Sequence, residues 1–150
     1  MKNLLLIVVA SSLLLLSGGT PARAQVVDEI VADIPFGFTV RNTTLPAGEY
    51  SIRRPYAASE GLMEIRSMDG HARMVFLVES AQIGKVPGQT ELIFDRVGDK
   101  YFLSEFFEEG NNIGVELPKS SDERKLEKKG AAIQIRSVDV PAQNGVNTKR

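Results

Sequence analysis

The chain has no cysteine, no tryptophan and a single histidine, His71, in 150 residues. Each absence excludes chemistry. Without Cys there is no disulfide framework, no thiolate zinc site, no cysteine nucleophile and no lipid-bearing N-terminal cysteine. One imidazole cannot build a poly-histidine metal site and leaves one candidate imidazole base. Without Trp the best aromatic platform for sugar stacking is missing. Basic residues number 18 and acidic residues 19, a formal charge of −1, so no surplus of positive charge points to nucleic acid as a partner.

What is present begins with an export signal. Lys2 is followed by an apolar run from Leu4 to Leu16, broken only by Ser11 and Ser12, and then by Ala22-Arg23-Ala24. A charged start, a short apolar core and a small-x-small exit are the three parts of a secretory signal peptide. As a membrane anchor the run is too short: at the helical rise it spans roughly 20 Å of a hydrocarbon core of roughly 30 Å. The expected organisation is a signal peptide over 1–24, cleaved between Ala24 and Gln25, one β domain over 25–140 and a disordered tail over 141–150. Residues 25–150 carry sixteen basic and nineteen acidic side chains, a formal −3. They are about 40 % apolar, which is globular composition. The expected location is secreted or periplasmic, with no stable membrane insertion after cleavage.

The remainder reads as strands. Ile34, Phe36, Phe38 and Val40 alternate with Pro35, Gly37 and Thr39, the period of a half-buried strand. Leu45-Pro46-Ala47-Gly48 is a turn, followed by a strand over 49–54 with Tyr50 and Ile52 on one face. Residues 55–61 form a loop. Two strands, 62–67 and 72–80, are joined by Met68-Asp69-Gly70-His71, which predicts a type I′ turn with positive φ at both central residues. After a linker over 82–89, strands 91–96 and 101–107 form a hairpin around Gly98-Asp99. The second of these is apolar on both faces, as in a strand covered on both sides.

A short strand over 113–117 follows. Ser120 and Glu123 stand at capping-box spacing, starting a helix that ends near Gly130. Leu126 is almost its only apolar residue, which predicts a surface helix with one anchor. A last strand covers 131–140. The expected fold class is all-β, an antiparallel sandwich or small barrel of seven to eight strands with one short C-terminal surface helix. A transmembrane barrel is excluded, because Arg53, Glu64, Arg66 and Arg136 break any continuous lipid face. Met63–Asp69 echoes Ile133–Asp139 in sequence, but the flanks do not match, so shared strand patterning is the simpler cause.

The segments Ile34-Pro35-Phe36-Gly37-Phe38-Thr39-Val40, Thr44-Leu45-Pro46-Ala47-Gly48-Glu49-Tyr50-Ser51-Ile52, Leu92 to Leu103 and Gly114 to Ser120 resemble a group of small secreted bacterial proteins of acidobacterial-type genomes. The resemblance covers most of residues 31–127. It implies export and a shared β fold, and it transfers no catalytic residue.

Candidate chemistry is sparse. His71, one residue past the Asp-Gly turn, reads as an exposed turn residue rather than a base or metal ligand. No Gly-x-Ser-x-Gly elbow is present. Asp95 and Glu105, on neighbouring strands, are a candidate acid–base pair, with Arg96 and Lys100 near enough for ordinary ion pairs instead. Glu105, Glu108, Glu109, Asn111 and Asn112 supply hard oxygen ligands for calcium, but without the regular spacing of a calcium loop they read as a solvated acidic loop. Asn42-Thr43-Thr44 matches a glycosylation sequon, discounted beside a bacterial-type signal.

Tyr56, Phe106 and Phe107 are the candidate binding residues. Phe106 and Phe107 are expected on opposite faces, leaving one at a surface or a subunit contact. The basic residues of the helix, Arg124, Lys125, Lys128 and Lys129, alternate with acids as on a solvated helix face. No cofactor is called for. The expectation is an exported, non-enzymatic β domain that acts by binding or interaction in or outside the cell envelope, its ligand unknown. Hydrolysis by paired carboxylates and a structural role in an envelope assembly are the alternatives. A homo-oligomer or an envelope partner is left open.

Overall fold

In the described residues, alternating apolar residues and regularly spaced turns build eleven short strands and one helix. The computed structural model describes residues 29–55 and 61–141. In chain order these hold β1 (Glu29–Ile34), β2 (Phe38–Val40), β3 (Thr43–Leu45), β4 (Gly48–Arg53), β5 (Leu62–Ser67), β6 (Arg73–Leu77), β7 (Glu79–Gln82), β8 (Thr90–Val97), β9 (Lys100–Phe107), β10 (Ile113–Glu116), α1 (Ser121–Lys128) and β11 (Ile133–Val140). The expected signal peptide and its expected Ala24/Gln25 cleavage site, Tyr56 and residues 142–150 lie outside the described residues.

The strands form two sheets. The first has the order β1-β4-β5-β6. The second runs β11-β8-β9-β10-β7, with β2 against β9 and β3 beyond β2. Pairing is antiparallel apart from one parallel contact, Thr39 with Phe102. The sheets do not close into a barrel, so the fold is a sandwich. Its core is the facing inner sides: Ile30, Ile34, Tyr50, Ile52 and Ile65 from the first sheet against Phe38, Leu92, Phe94, Leu103 and Phe106 from the second. Phe38 meets Tyr50 and Phe94 edge-on at 5.1 and 5.6 Å, the arrangement that aromatic quadrupoles favour. One end of the core is closed by Phe36 stacked on Tyr101 at 4.2 Å, with the Arg136 guanidinium 4.4 Å above Phe36.

The described residues hold eleven strands rather than seven or eight because the chain twice changes sheet where its alternation does not break, and because Thr43–Leu45 adds β3 before the turn. Residues 34–40 are not one strand: β1 ends at Ile34 in the first sheet, and Pro35-Phe36-Gly37 carries the chain to β2 in the second. Proline removes the N–H a continuing ladder would need. Residues 72–80 divide likewise at Val78, with β6 in one sheet and β7 in the other. The 68–71 turn also differs from the type I′ expectation. Gly70 has φ +79° and Asp69 does not have positive φ; the loop closes through Gly70 N–H to Ser67 C=O at 3.0 Å. The echo of Met63–Asp69 in Ile133–Asp139 joins unlike positions, the interior β5 and the edge strand β11.

A bulge reorders β9. Ile93 lies opposite Glu105 but Phe94 lies opposite Leu103, so Ser104 is the extra residue. Its hydroxyl donates to Ile93 C=O at 3.2 Å and its C=O accepts Leu117 N–H at 2.7 Å. Leu103 and Phe106, three residues apart, therefore both reach the inner core. Phe107 is buried as well, with its ring against Gly114. Neither Phe106 nor Phe107 is left at a surface, which corrects the expectation from strict alternation.

Helix α1 starts at the expected capping box. The Ser120 hydroxyl accepts Glu123 N–H at 3.0 Å, and Glu123 Oε2 accepts Ser120 N–H at 3.1 Å. Its N-terminus is tied back to the sheet by the β2–β3 loop. Arg41, held at φ +57°, donates to Pro118 C=O, and Asn42 Oδ1 accepts both Ser121 N–H at 3.3 Å and Ser121 Oγ–H at 3.2 Å. The expected apolar anchor is different too: Leu126 is half-buried, and the buried residue of the helix is Glu123.

Candidate functional site

Where the end of the first sheet meets β7, β9 and β10, the sandwich leaves a cavity of about 380 Å³. That volume lies at the small end of the range for ligand pockets, roughly 300–1,000 Å³. Met63, Val78 and Phe106, all core residues, line it together with Leu62, Ile113 and Val115. Polar groups come from Arg54 at the end of β4, Glu79 and Ser80 on β7, and Glu108 and Asn111 beyond β9. Burial pushes the Glu108 carboxyl up from its ordinary range, and the Arg54 charge opposes that shift. The loop carrying Glu108 and Asn111 is held by Glu109 N–H to Thr90 Oγ1 at 3.1 Å, Gly110 N–H to Pro87 C=O at 3.0 Å, and Ile113 N–H to Asn111 Oδ1 at 2.9 Å.

Among the candidate binding residues Phe106 lines this cavity, and Phe107 does not. It packs behind Gly114, where a Cβ would meet Phe106 O at 2.3 Å and Phe107 Cδ1 at 2.5 Å. β10 can sit this close to β9 only because residue 114 has no side chain.

A second recess, about 210 Å³, lies on the outer face of the larger sheet. It is lined by Asp95, Ser104, Glu105, Glu116, Leu117, Pro118 and Lys119. The Asp95–Glu105 pair is thus brought together, with Glu116 directly across from Glu105 in the β9–β10 register. Like charges at opposed positions repel. Burial first, then Glu116 and Asp95, push the Glu105 carboxyl up. Behind this recess Glu123 of α1 faces Asp95, and burial and Asp95 push its carboxyl up against the Ser120 N–H bond. The acidic loop is therefore divided, with Glu105 in this recess and Glu108 and Asn111 in the end cavity. Among the described residues no group of three or more acidic or histidine side chains is arranged to hold a metal ion.

The outer face of the smaller sheet holds the opposite arrangement. Glu64 is 1 % exposed, bonded by Arg53 Nη2 at 3.0 Å and Arg73 Nη2 at 2.7 Å. The Arg73 bond leads in holding its carboxyl below the usual range, the Arg53 bond adds to it, and burial opposes both. His71 is exposed, as expected, its N–H bonded to Asp69 Oδ1 at 3.0 Å. It also borders a groove of about 390 Å³ with Tyr50, Asp69 and Arg73.

Of the residues singled out in the sequence, Phe106 lines the end cavity and Asp95 and Glu105 line the outer recess, whereas Arg54, Glu64 and the burial of Glu123 were not singled out there. The Ser120/Glu123 spacing was a signal for Glu123, but only for its local cap. Comparison of the chain with protein-family models, with curated proteins and with solved structures finds no match.

Proposed function

We propose that this is an exported binding domain that takes a small amphipathic molecule into the end cavity. The carrying observation is the cavity itself: an apolar floor of Met63, Val78 and Phe106 beneath polar Arg54, Glu79 and Glu108. An apolar pocket with a few convergent polar groups is the default shape of a ligand site. Export rests on Lys2, the Leu4–Leu16 run and Ala22-Arg23-Ala24, and on the resemblance to small secreted bacterial proteins. No described helix is long and apolar enough to cross a membrane.

The test is titration with N-phenyl-1-naphthylamine, a neutral apolar dye that brightens in dry pockets. Saturable one-to-one binding is expected, lost in Ser80→Trp, which fills the cavity from an exposed position. Absent binding, or binding unchanged in that variant, rejects the reading. For export, N-terminal sequencing of the protein from a bacterial host should begin at Gln25; an intact Met1 in the cytosol rejects it.

One observation favours a second reading, hydrolysis by paired carboxylates: Asp95, Glu105 and Glu116 share a recess, and burial pushes Glu105 up. That is the environment a general acid needs. Turnover of chromogenic esters or glycosides that is lost in Glu105→Gln supports it. No turnover by the wild-type protein retires it.

A further inference from the structure

Glu123 is the buried residue of an otherwise solvated helix, 4 % exposed, and it packs over β8. One carboxyl oxygen, Oε2, accepts Ser120 N–H. The other, Oε1, is buried with no hydrogen-bond partner among the described residues, and the Asp95 carboxyl on β8, the strand that the helix packs against, acts on it. A buried carboxylate oxygen with no donor beside a second carboxylate is an arrangement proteins avoid, because desolvation and like charge act together. A proton resolves both costs by turning Oε1 into a donor. Asp95 lines the outer recess and is part-exposed, whereas Glu123 does not line it and is buried, so the buried acid is the one that holds the proton.

We infer that Glu123 and Asp95 share one proton and that this bond is a pH-sensitive latch docking α1 and its capping box onto the larger sheet. Among the described residues, the one cation whose charge reaches the pair is Lys119, which opposes the upward push on Glu123 without bonding it. From β9 and β10 come Glu105 and Glu116, both acidic and lining the recess with Asp95. Lys119 of the connecting segment is bonded to Glu127. On the helix, Asp122 pairs with Lys125 and Arg124 donates to Lys119 C=O at 2.7 Å. From β11, the residue beside Asp95 is Ile135.

The direction follows from linkage. A carboxyl held above its unfolded range binds a proton on docking. Docking is therefore strongest below the folded-state titration of Glu123 and weakens as pH rises through it. Loss of the proton also places a second negative charge beside Asp95, while the Arg41 and Asn42 ties at the helix N-terminus stay unchanged.

The experiment is ¹³C NMR titration of the Glu123 side-chain carboxyl, alongside amide-exchange protection factors for Arg124–Lys128, from about pH 4 to about pH 8. In the wild type, Glu123 should titrate above the ordinary glutamate range, and helix protection should fall through the same midpoint. Glu123→Gln keeps a donor toward Asp95 and should show no such fall. Asp95→Asn supplies a permanent donor to Glu123 and should return its titration toward or below the ordinary range. Glu105→Gln should leave the helix transition in place, which separates the latch from the hydrolytic reading. Titration of wild-type Glu123 in the ordinary range, or the same loss of protection in Glu123→Gln, overturns the inference. If Glu123→Gln does not fold, the wild-type and Asp95→Asn titrations decide it.

Discussion

Glu64 and Glu123 are nearly equal in exposure, 1 % and 4 %, and lie on the outer faces of opposite sheets. Their environments push their carboxyls in opposite directions. Glu64 sits in the register opposite Arg53 and diagonal to Arg73, so the charged form is bonded twice and its carboxyl is held down. Glu123 is set against an acidic strand pair and its carboxyl is pushed up. Lack of exposed surface therefore does not decide the ionisation of a carboxyl; the donors supplied by neighbouring strands do. Glu64 is covered by two guanidinium groups that themselves meet water, 42 % and 63 % exposed. Glu123 is covered by the sheet and its own helix.

A substitution away from both faces sets the scale. Gly114→Ala would drive a methyl group into Phe106 O and the Phe107 ring, and both neighbours are held by the core. Overpacking of this kind costs about 3 kcal/mol. Chemical denaturation should show it as the largest loss in this set; a loss below about 1 kcal/mol would mean that β10 can move away from β9.

Next is Glu64→Gln, which leaves two arginines facing each other without their shared carboxylate. Breaking a fully desolvated ion pair costs more, but partial solvation of both guanidiniums brings the expected loss to about 1–2 kcal/mol. Glu123→Gln should go the other way, stabilising by about 1 kcal/mol at neutral pH, because an amide avoids the cost of ionisation beside Asp95. Thermal melts of the two variants at one pH check the contrast. Shifts of the same sign would break it.

The pH dependence sharpens the same contrast, with the signs worked separately. Glu64 has a lowered folded-state pKa, so its contribution is present above the unfolded value and lost as pH falls through the folded one. Glu123 has a raised one, so its contribution is complete below the unfolded value and lost as pH rises through the folded one. Melting temperature against pH should therefore show a shallower acid-side fall in Glu64→Gln and a shallower neutral-side fall in Glu123→Gln, where the raised Glu105 and Glu108 remain.

Much of this arrangement was legible in local pattern. β5 follows its alternation, β8 and β9 pair as the hairpin around Gly98-Asp99, and the capping box of α1 follows from Ser120 and Glu123. The changes of sheet at Pro35–Gly37 and Val78 were not legible, because a strand that crosses from one sheet to the other keeps its alternation. The Ser104 bulge hid for a related reason: one inserted residue shifts Phe106 inward without changing composition. The end cavity draws on five separated segments, from Arg54 to Val115, which no spacing rule joins. Glu64 and Glu123 look alike in sequence because their difference lies in which strands pair beside them.

The smallest effect on stability is expected at Lys119, and it tests the comparison most finely. Its ammonium is bonded to Glu127 on the helix surface, that bond leads in raising its own pKa, and its charge also reaches Glu123. An exposed pair of this kind contributes little, so Lys119→Ala should change stability by less than about 0.5 kcal/mol. Its removal nevertheless takes away a positive charge that favours ionised Glu123, so the Glu123 midpoint in the ¹³C titration should move further up. Glu127→Ala removes the partner but leaves the ammonium, and should move that midpoint down or leave it in place. If both variants shift Glu123 upward, Lys119 acts by holding the helix in position and not by its charge. The difference between Glu64 and Glu123 would then rest on packing as much as on the donors around them.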